Sequence, residues 1–252
     1  VKEDRDYVRL GRYRLSRRRF ITLVLGSGLA VLSGYGLIET VRISITRINL
    51  DLGSKIAFLT DNHIHSYGYV QKEIVDIISR EDPDIIFMAG DLVDELTRDL
   101  SNVEKFIGEL DAREKYAVMG NHEYWSGLVK DAKEILEGNG FKVLFDEYID
   151  TSVGRVLGIN WREDRRYPEV NTDGLVIVHD PNAADSIEGN AFVLAGHTHG
   201  GLMLGPIPII TNARYTRGYY QFEGGTVMYV SRGLGQMIPV RPTSPLEMVI
   251  IE

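Results

Sequence analysis

Five short apolar runs, each stopping at a cluster of metal-binding residue types, constrain this chain more than any other feature. The runs are Ile56–Thr60, Ile85–Gly90, Tyr116–Gly120, Leu175–His179 and Phe192–Gly196. They are brief and rich in Val, Ile and Phe, the pattern of strands buried on both faces. The first leads into Asp61-Asn62-His63, the second into Asp91-Leu92-Val93-Asp94 and the third into Asn121-His122-Glu123. The fourth ends in His179-Asp180-Pro181, and the fifth runs into Gly196-His197-Thr198-His199-Gly200-Gly201. Ligands of open α/β sheets bind beyond the carboxyl ends of the strands, so five such turns on one sheet edge would converge on one site. The chain has six histidines; His63, His122, His179, His197 and His199 fall inside these turns, and His65 lies two residues from one. Singly, each motif is compatible with a solvated turn, a structural histidine or a helix cap; the ordered set is not.

Between the early runs the apolar residues change period. Val70, Ile74, Ile77 and Ile78 form one helical stripe, and Val103, Phe106, Ile107 and Leu110 a second, which Ser101 and Glu104 would start as a capping box. Leu128, Ala132, Ile135 and Leu136 form a third, stopped at Gly138-Asn139-Gly140. After residue 141 short strand-like pieces dominate: Phe141–Phe145, Val153–Ile159, Gly225–Ser231 and Leu246–Ile251. A βαβαβα half followed by a strand-rich half predicts an α/β fold of two packed β-sheets flanked by helices, with no internal repeat across residues 41–252.

Charge separates the N-terminus from the rest. Residues 1–19 carry Lys2, Arg5, Arg9, Arg12, Arg14, Arg17, Arg18 and Arg19 against Glu3, Asp4 and Asp6; taking that local +5 from the overall −8 leaves −13 on the remainder. The stretch from Phe20 to Ile38 is uncharged, modestly apolar and close to the ~20 residues that span a bilayer as a helix. A basic segment before an apolar one is an export pattern, and Ser16-Arg17-Arg18-Arg19-Phe20-Ile21 resembles the twin-arginine export motif. Residues 1–40 are therefore expected to be a signal or an N-terminal membrane anchor engaging the twin-arginine machinery, and residues 41–252 the catalytic domain. Basic residues stay on the cytoplasmic side, which places that domain at the outer face of the cytoplasmic membrane or in the extracytoplasmic space. The acidic remainder argues against a nucleic-acid partner. The absence of cysteine excludes a disulfide framework, a thiolate zinc site, an iron–sulfur cluster and a cysteine nucleophile.

The ordered turns resemble those of the calcineurin-like metallophosphoesterases over residues 54–252. The N-terminus, His179-Asp180-Pro181 and Ser231-Arg232-Gly233-Leu234-Gly235 resemble an exported bacterial or archaeal subgroup, with Leu202 where members often carry Gln. The resemblance implies a four-layer α/β/β/α sandwich and two divalent metal ions. It implies that Asp61, His63 and His199 hold one ion, that Asn121, His179 and His197 hold the other, and that Asp91 bridges them. It further implies that His122 is the catalytic histidine and that Asp94 orients its ring. His65 takes no family role and is expected to be a supporting or surface residue. Imidazole and carboxylate donors without thiolate suit Mn, Fe, Zn or Co. Two ions offset by Asp61, Asp91 and a bridging hydroxide leave a net positive centre, so an acidic chain can still bind a phosphate ester.

The expected activity is hydrolysis of a phosphodiester or pyrophosphate bond, lipid-linked substrates included, by a metal-activated hydroxide at the cell envelope. The alternatives are a phosphate-scavenging phosphomonoesterase and a non-catalytic scaffold of the same fold. Three flanking segments bear on the substrate. Trp161–Arg166 reads as a solvated loop or a substrate contact. Leu202–Ile210 reads as a buried loop and strand edge, or as a wall for an acyl chain or a membrane contact. Asn212–Phe222 reads as packing between sheet and loop, or as a stacking surface.

Overall fold

Each of the five runs is buried on both faces because two sheets pack against one another. The computed structural model describes residues 7–10, 13–204, 207–237, 241 and 243–252. Lys2, Glu3, Asp4, Arg5, Asp6 and Arg12 of the basic segment, and Gly205 and Pro206 of the apolar one, lie outside the described residues. In chain order, strands β1 (Tyr7–Leu10) and β2 (Tyr13–Ser16) pair antiparallel and lead into helix α1 (Arg17–Glu39). No helix of the described residues is long and apolar enough to cross a membrane.

The first sheet and its helices alternate along the chain: β3 (Ile43–Ile48), β4 (Ile56–Leu59), α2 (Tyr69–Glu81), β5 (Ile85–Ala89), α3 (Leu100–Gly108), β6 (Glu114–Val118), α4 (Asn121–Trp125), α5 (Val129–Gly138) and β7 (Lys142–Val143). The second sheet and its connections follow: β8 (Glu147–Thr151), β9 (Gly154–Ile159), β10 (Val170–Asn171), β11 (Gly174–Val178), β12 (Ile187–Glu188), β13 (Ala191–Ala195), the hairpin β14 (Leu202–Leu204) and β15 (Ile207–Ile210), β16 (Gly218–Gln221) and β17 (Val227–Val230). The last strand, β18 (Leu246–Ile251), returns to the first sheet. The six-stranded orders are β3-β18-β4-β5-β6-β7 and β16-β17-β13-β11-β9-β8. Within them β4, β5 and β6 run parallel, as do β9, β11 and β13, so their carboxyl ends lie together.

The strand period of two divides the core. Ile56, Phe58, Ile85 and Phe87 meet Leu175, Ile177 and Leu194 between the sheets, whereas Ala57, Leu59, Ile86 and Met88 face the buried stripes of α2, α3 and α5. The outer face of the second sheet is covered by a 3-10 helix, Pro181–Ser186, and by aromatic residues. There Tyr215 packs on Tyr220 and Phe222 at ring separations of 4.9 and 5.3 Å. The segment Asn212–Phe222 is thus sheet packing in this part. The start of α3 differs from the expected capping box. Asp99 is the cap, its carboxylate accepting from Ser101 N at 3.0 Å, because an Asx side chain two residues earlier reaches the free amides first.

Glu247 joins the two sheets behind the site. It is 2% exposed and accepts from the Tyr229 hydroxyl of β17 at 2.7 Å, the Arg232 amide at 2.9 Å and Arg232 Nη2 at 3.1 Å, with Thr46 of β3 donating as well. Burial opposes its ionisation, but the Arg232 guanidinium holds it below the ordinary carboxylate value of 4.5. A carboxylate depressed in the folded state stabilises above its unfolded pKa and loses that contribution as pH falls through the folded value. Glu247→Ala is therefore expected to cost ~3–5 kcal/mol at pH 7, as loss of one partner of a buried pair does. The gap to wild type in urea unfolding should narrow as pH is lowered below 4.5.

Candidate metal centre

The carboxyl ends of both sheets supply the site. The expected single sheet edge is in fact two: Asp61, Asp91 and Asn121 follow β4, β5 and β6 of the first sheet, whereas His179 and His197 follow β11 and β13 of the second. Face-to-face packing brings the two edges together. The turns are tight enough to place Asp61, His63, Asp91, His197 and His199 at φ of 52°, 43°, 52°, 74° and 49°. Non-glycine residues avoid this region, and its occupation by five site residues concentrates backbone strain where side chains must be aimed. Gly90 and Gly120 permit a close approach of two turns: a Cβ on Gly90 would lie 2.3 Å from Gly120 N, and one on Gly120 would lie 2.2 Å from Asp91 Oδ1.

Two corners result. In one, ligand atoms of Asp61, His63 and His199 lie within 4.8 Å of one another, with His63 Nε2 3.2 Å from His199 Nε2. In the other, Asp91, His179 and His197 do the same; His179 Nε2 lies 3.1 Å from Asp91 Oδ2, 2.9 Å from Asn121 Oδ1 and 3.2 Å from His197 Nδ1. Asp91 Oδ2 stands between them, 3.8 Å from His63 Nε2. The far side of three rings is held: His63 Nδ1 by Asp94 at 2.8 Å, His179 Nδ1 by Ala89 O at 2.7 Å and His199 Nδ1 by Gly235 O at 3.1 Å. Each therefore turns Nε2 inward, the arrangement in which an outer acceptor fixes the tautomer of a liganding imidazole.

Proton affinities report the charge this centre wants. Burial alone would lower His179, yet the Asp91 charge and hydrogen bond push it up to about 10. Burial likewise opposes a charged His63, and Asp94, Asp91 and Asp61 outweigh it. Asp91, despite burial, is held below the ordinary carboxylate range by His179. His197 is pushed down to about 3 by burial and by His179, and His199 falls well below its ordinary value through burial and His63. Two buried carboxylates facing imidazole nitrogens call for positive charge between them, and nitrogen and oxygen donors of this kind fit a divalent transition metal.

Asp94 and His122, and two flanking segments, depart from the expected arrangement. Asp94 does not pair with His122: it is fully buried and bonds His63 at 2.8 Å and His65 Nε2 at 2.7 Å. The ring of His122 is met by Glu95, with Oε2 2.7 Å from Nδ1, because the turn after Asp91 carries Asp94 inward and leaves the longer Glu95 on the His122 side. His122 is also anchored through its amide to Asp91 Oδ1 at 2.9 Å. The segment Trp161–Arg166 is not wholly solvated either. Trp161 is 5% exposed with its ring 5.3 Å from that of His197, since the indole covers the apolar edge of the imidazoles. Leu202 and Ile210 line a cavity of about 790 Å³ with His122, Trp125, His197 and His199. Ile207, Ile209 and Ile210 are 56–64% exposed, so these positions of β15 are not a buried strand edge.

Sequence reasoning missed Glu123. It is fully buried, and it accepts from the amides of Gly120 at 2.7 Å, Asp91 at 2.9 Å, Leu92 at 2.5 Å and Val93 at 3.2 Å. Burial and the neighbouring Asp91 raise its pKa. One carboxylate thus ties the turn after β5 to the turn after β6. Its signal was an acid directly following Asn121-His122 at the start of a five-residue helix. Glu123→Ala strands four buried amides, each costing ~1–3 kcal/mol when unpaired. Chemical denaturation should show a loss of at least about 3 kcal/mol, accompanied by weaker Mn²⁺ binding in calorimetry.

Residues 54–201 match the family model of the calcineurin-like phosphoesterases. An uncharacterized metallophosphoesterase of Aquifex aeolicus is 28% identical over 261 residues, covering 92% of this chain and 97% of that protein. A putative metallophosphoesterase of Caenorhabditis elegans is 30% identical over 257 residues, covering 87% of this chain and 53% of that protein, so the chain spans about half of that relative. Among solved structures, an archaeal phosphodiesterase is 15% identical, with a TM-score of 0.44 over 71% of this chain and 84% of that one. The family match over more than half of the sequence, on the segment that supplies most of the converging aspartates and histidines, makes this chain a member of the calcineurin-like phosphoesterase family of metal-dependent phosphoester hydrolases.

Proposed function

We infer that the chain hydrolyses a phosphodiester or pyrophosphate bond, lipid-linked substrates included, at the cell envelope, using two divalent ions of the Mn, Fe, Zn or Co type. The observation that carries this is the pair of histidine–carboxylate corners sharing Asp91. Asp61, His63 and His199 would hold one ion; Asn121, His179 and His197 would hold the other, with Asp91 common to both. Bound there, the ions would supply Lewis-acid charge for a phosphoryl oxygen and lower the pKa of water toward neutrality.

The protein's own groups do the rest. His122 lines the cavity beside the shared aspartate and is the group placed to give a proton or hydrogen bond to the leaving oxygen. Glu95 fixes its ring through Nδ1, which presents Nε2 to the substrate. Trp161 and Trp125 both donate to Glu163 Oε2, which ties the two indoles together beside His197 and His122. The cavity volume and its Leu202, Ile210 and Met237 lining suit a substrate with a bulky apolar part better than a small phosphomonoester. Every ligand position and His122 are filled, which sets a non-catalytic scaffold aside. Supporting the envelope location are the paired arginines before an uncharged stretch and the exposed isoleucines beside the cavity.

Mn²⁺-loaded protein is expected to turn over chromogenic phosphodiesters faster than matched monoesters, with Asp91→Asn abolishing turnover. Monoester turnover alone would point to the scavenging phosphatase instead. His122→Ala should lower kcat by roughly 10²–10⁴-fold, the usual contribution of a positioned acid, while both ions remain bound by calorimetry. Glu95→Gln should cost about tenfold or less. Exchange of Arg17 and Arg18 for Lys keeps the charge and should retain the protein in the cytoplasm on fractionation, because the export address is read by a receptor rather than by charge.

A further inference from the structure

The loop between β9 and β10 places a cation against the outer side of the site. Arg165 sits in the left-handed region at φ 52°, its guanidinium carbon 5.2 Å from the centre of the Trp161 ring. Nη2 lies 2.8 Å from His197 Nε2, Nη1 donates to Asn212 O at 3.1 Å, and Nε is 3.7 Å from Asp180 Oδ2. Asp180 is already engaged by Asn182 N at 3.0 Å and the Tyr167 hydroxyl at 3.2 Å. The cavity has two arginines among its lining residues. Arg241 is spent on backbone carbonyls, bonding Ser244 O, Gly235 O and His199 O at 2.8, 2.8 and 3.0 Å. Arg165 is one-third exposed at the metal end.

His197 is the one imidazole of the two corners that turns Nδ1 inward, toward His179. A neutral imidazole carries one proton, so when Nδ1 gives its lone pair to an ion, the proton resides on Nε2. An arginine offers only donors, and the Arg165–His197 contact then sets donor against donor and cannot persist. Still held by Asn212 and the Trp161 face, the guanidinium would then be free to turn Nη2 toward the cavity that it lines. It lies across the His197 ring from Nδ1, the nitrogen that faces the second corner.

We propose that Arg165 binds the non-scissile phosphate of a pyrophosphate-linked substrate and so sets the preference for a phosphoanhydride over a simple diester. The planar fork matches two phosphate oxygens, and the ions already serve the scissile group. This rests on the hydrolase reading above. The probes are P,P′-dimethyl methylenediphosphonate, which carries two anionic phosphoryl groups, and methyl methylphosphonate, which carries one. Calorimetry would measure each on Mn²⁺-saturated full-length protein, and the Mn²⁺ isotherm itself would be recorded first.

Arg165→Ala is expected to weaken the diphosphonate by about 10- to 100-fold, as loss of a charge-assisted pair does, and the monophosphonate by less than about twofold. Arg165→Lys should recover only part, since a point charge lacks the fork. Mn²⁺ should bind Arg165→Ala as tightly as wild type or more tightly, because a competing cation has been removed. Equal weakening of both probes would place Arg165 on the scissile phosphate and overturn the proposal. No weakening, or a loss of Mn²⁺ affinity, would make it a structural strut and overturn it too. Wild-type protein that takes up Mn²⁺ yet binds neither probe would instead overturn the hydrolase reading.

Discussion

The structure turns on a buried carboxylate that burial alone would neutralise and that its neighbours keep charged. Asp91 is almost fully enclosed, receives the His122 amide on Oδ1 and faces both His179 and His63 through Oδ2. A charge removed from water must be compensated by neighbours or by an ion. Every feature of the surrounding loops serves that compensation. Two β-turns come close enough to share Glu123, and the far nitrogens of three histidines are tied to the protein so that the near ones point inward. The sheets supply the rigidity. The positive φ values at five site residues would relax if the strands behind them were free to shift, and they are not, because both faces of each strand are packed.

Much of this was legible in the sequence. The five apolar runs are β4, β5, β6, β11 and β13 to within two residues, since a run buried on both faces leaves no polar alternation to blur its ends. The residue types beyond them advertised a polyvalent site without any geometry. Less legible were the strands exposed on one side: β3, β8 and β16 alternate or carry polar residues, and while β8 and β16 pair with the next strand along the chain, β3 pairs with the distant β18. The division of the five turns between two sheets was not legible either. Strand order is fixed by crossovers and by which faces pack, and neither the β18 return to β4 nor the β17–β13 pairing has a local signature.

Glu123 and Trp161 show the other limit. Read singly, an acid in a short helix and a tryptophan in a charged stretch look solvated, because most such residues are. Both are buried here for the same reason. The turns bring backbone amides and imidazole edges into a space that water has left, and one long carboxylate and one indole fill it. Their roles exist only once the third and fifth strands are placed, so no reading of local sequence finds them.

The pairing of Asp94 and Glu95 shows how one residue of register separates two tasks. Thr97 Oγ1 accepts the Asp94 amide and donates to Ile64 O, which winds the loop after Asp91 inward at residue 94. Asp94 is thereby committed to His63 and His65. Its charge belongs to the corner of Asp61, His63 and His199, where it fixes the ring of His63. Glu95 emerges on the next position with one more methylene, 40% exposed, and reaches His122 from the solvent side. His122 is nonetheless close to the centre: its ring stands 5.0 Å from that of His63, and its ligand atom lies within 4.8 Å of those of His63 and Asp91. An Asp94 shared with His122 would add a direct coupling through one carboxylate, because any change in its protonation would be felt at His63. Separate carboxylates give each ring its own outer partner, and the price is a 40% exposed acid beside His122.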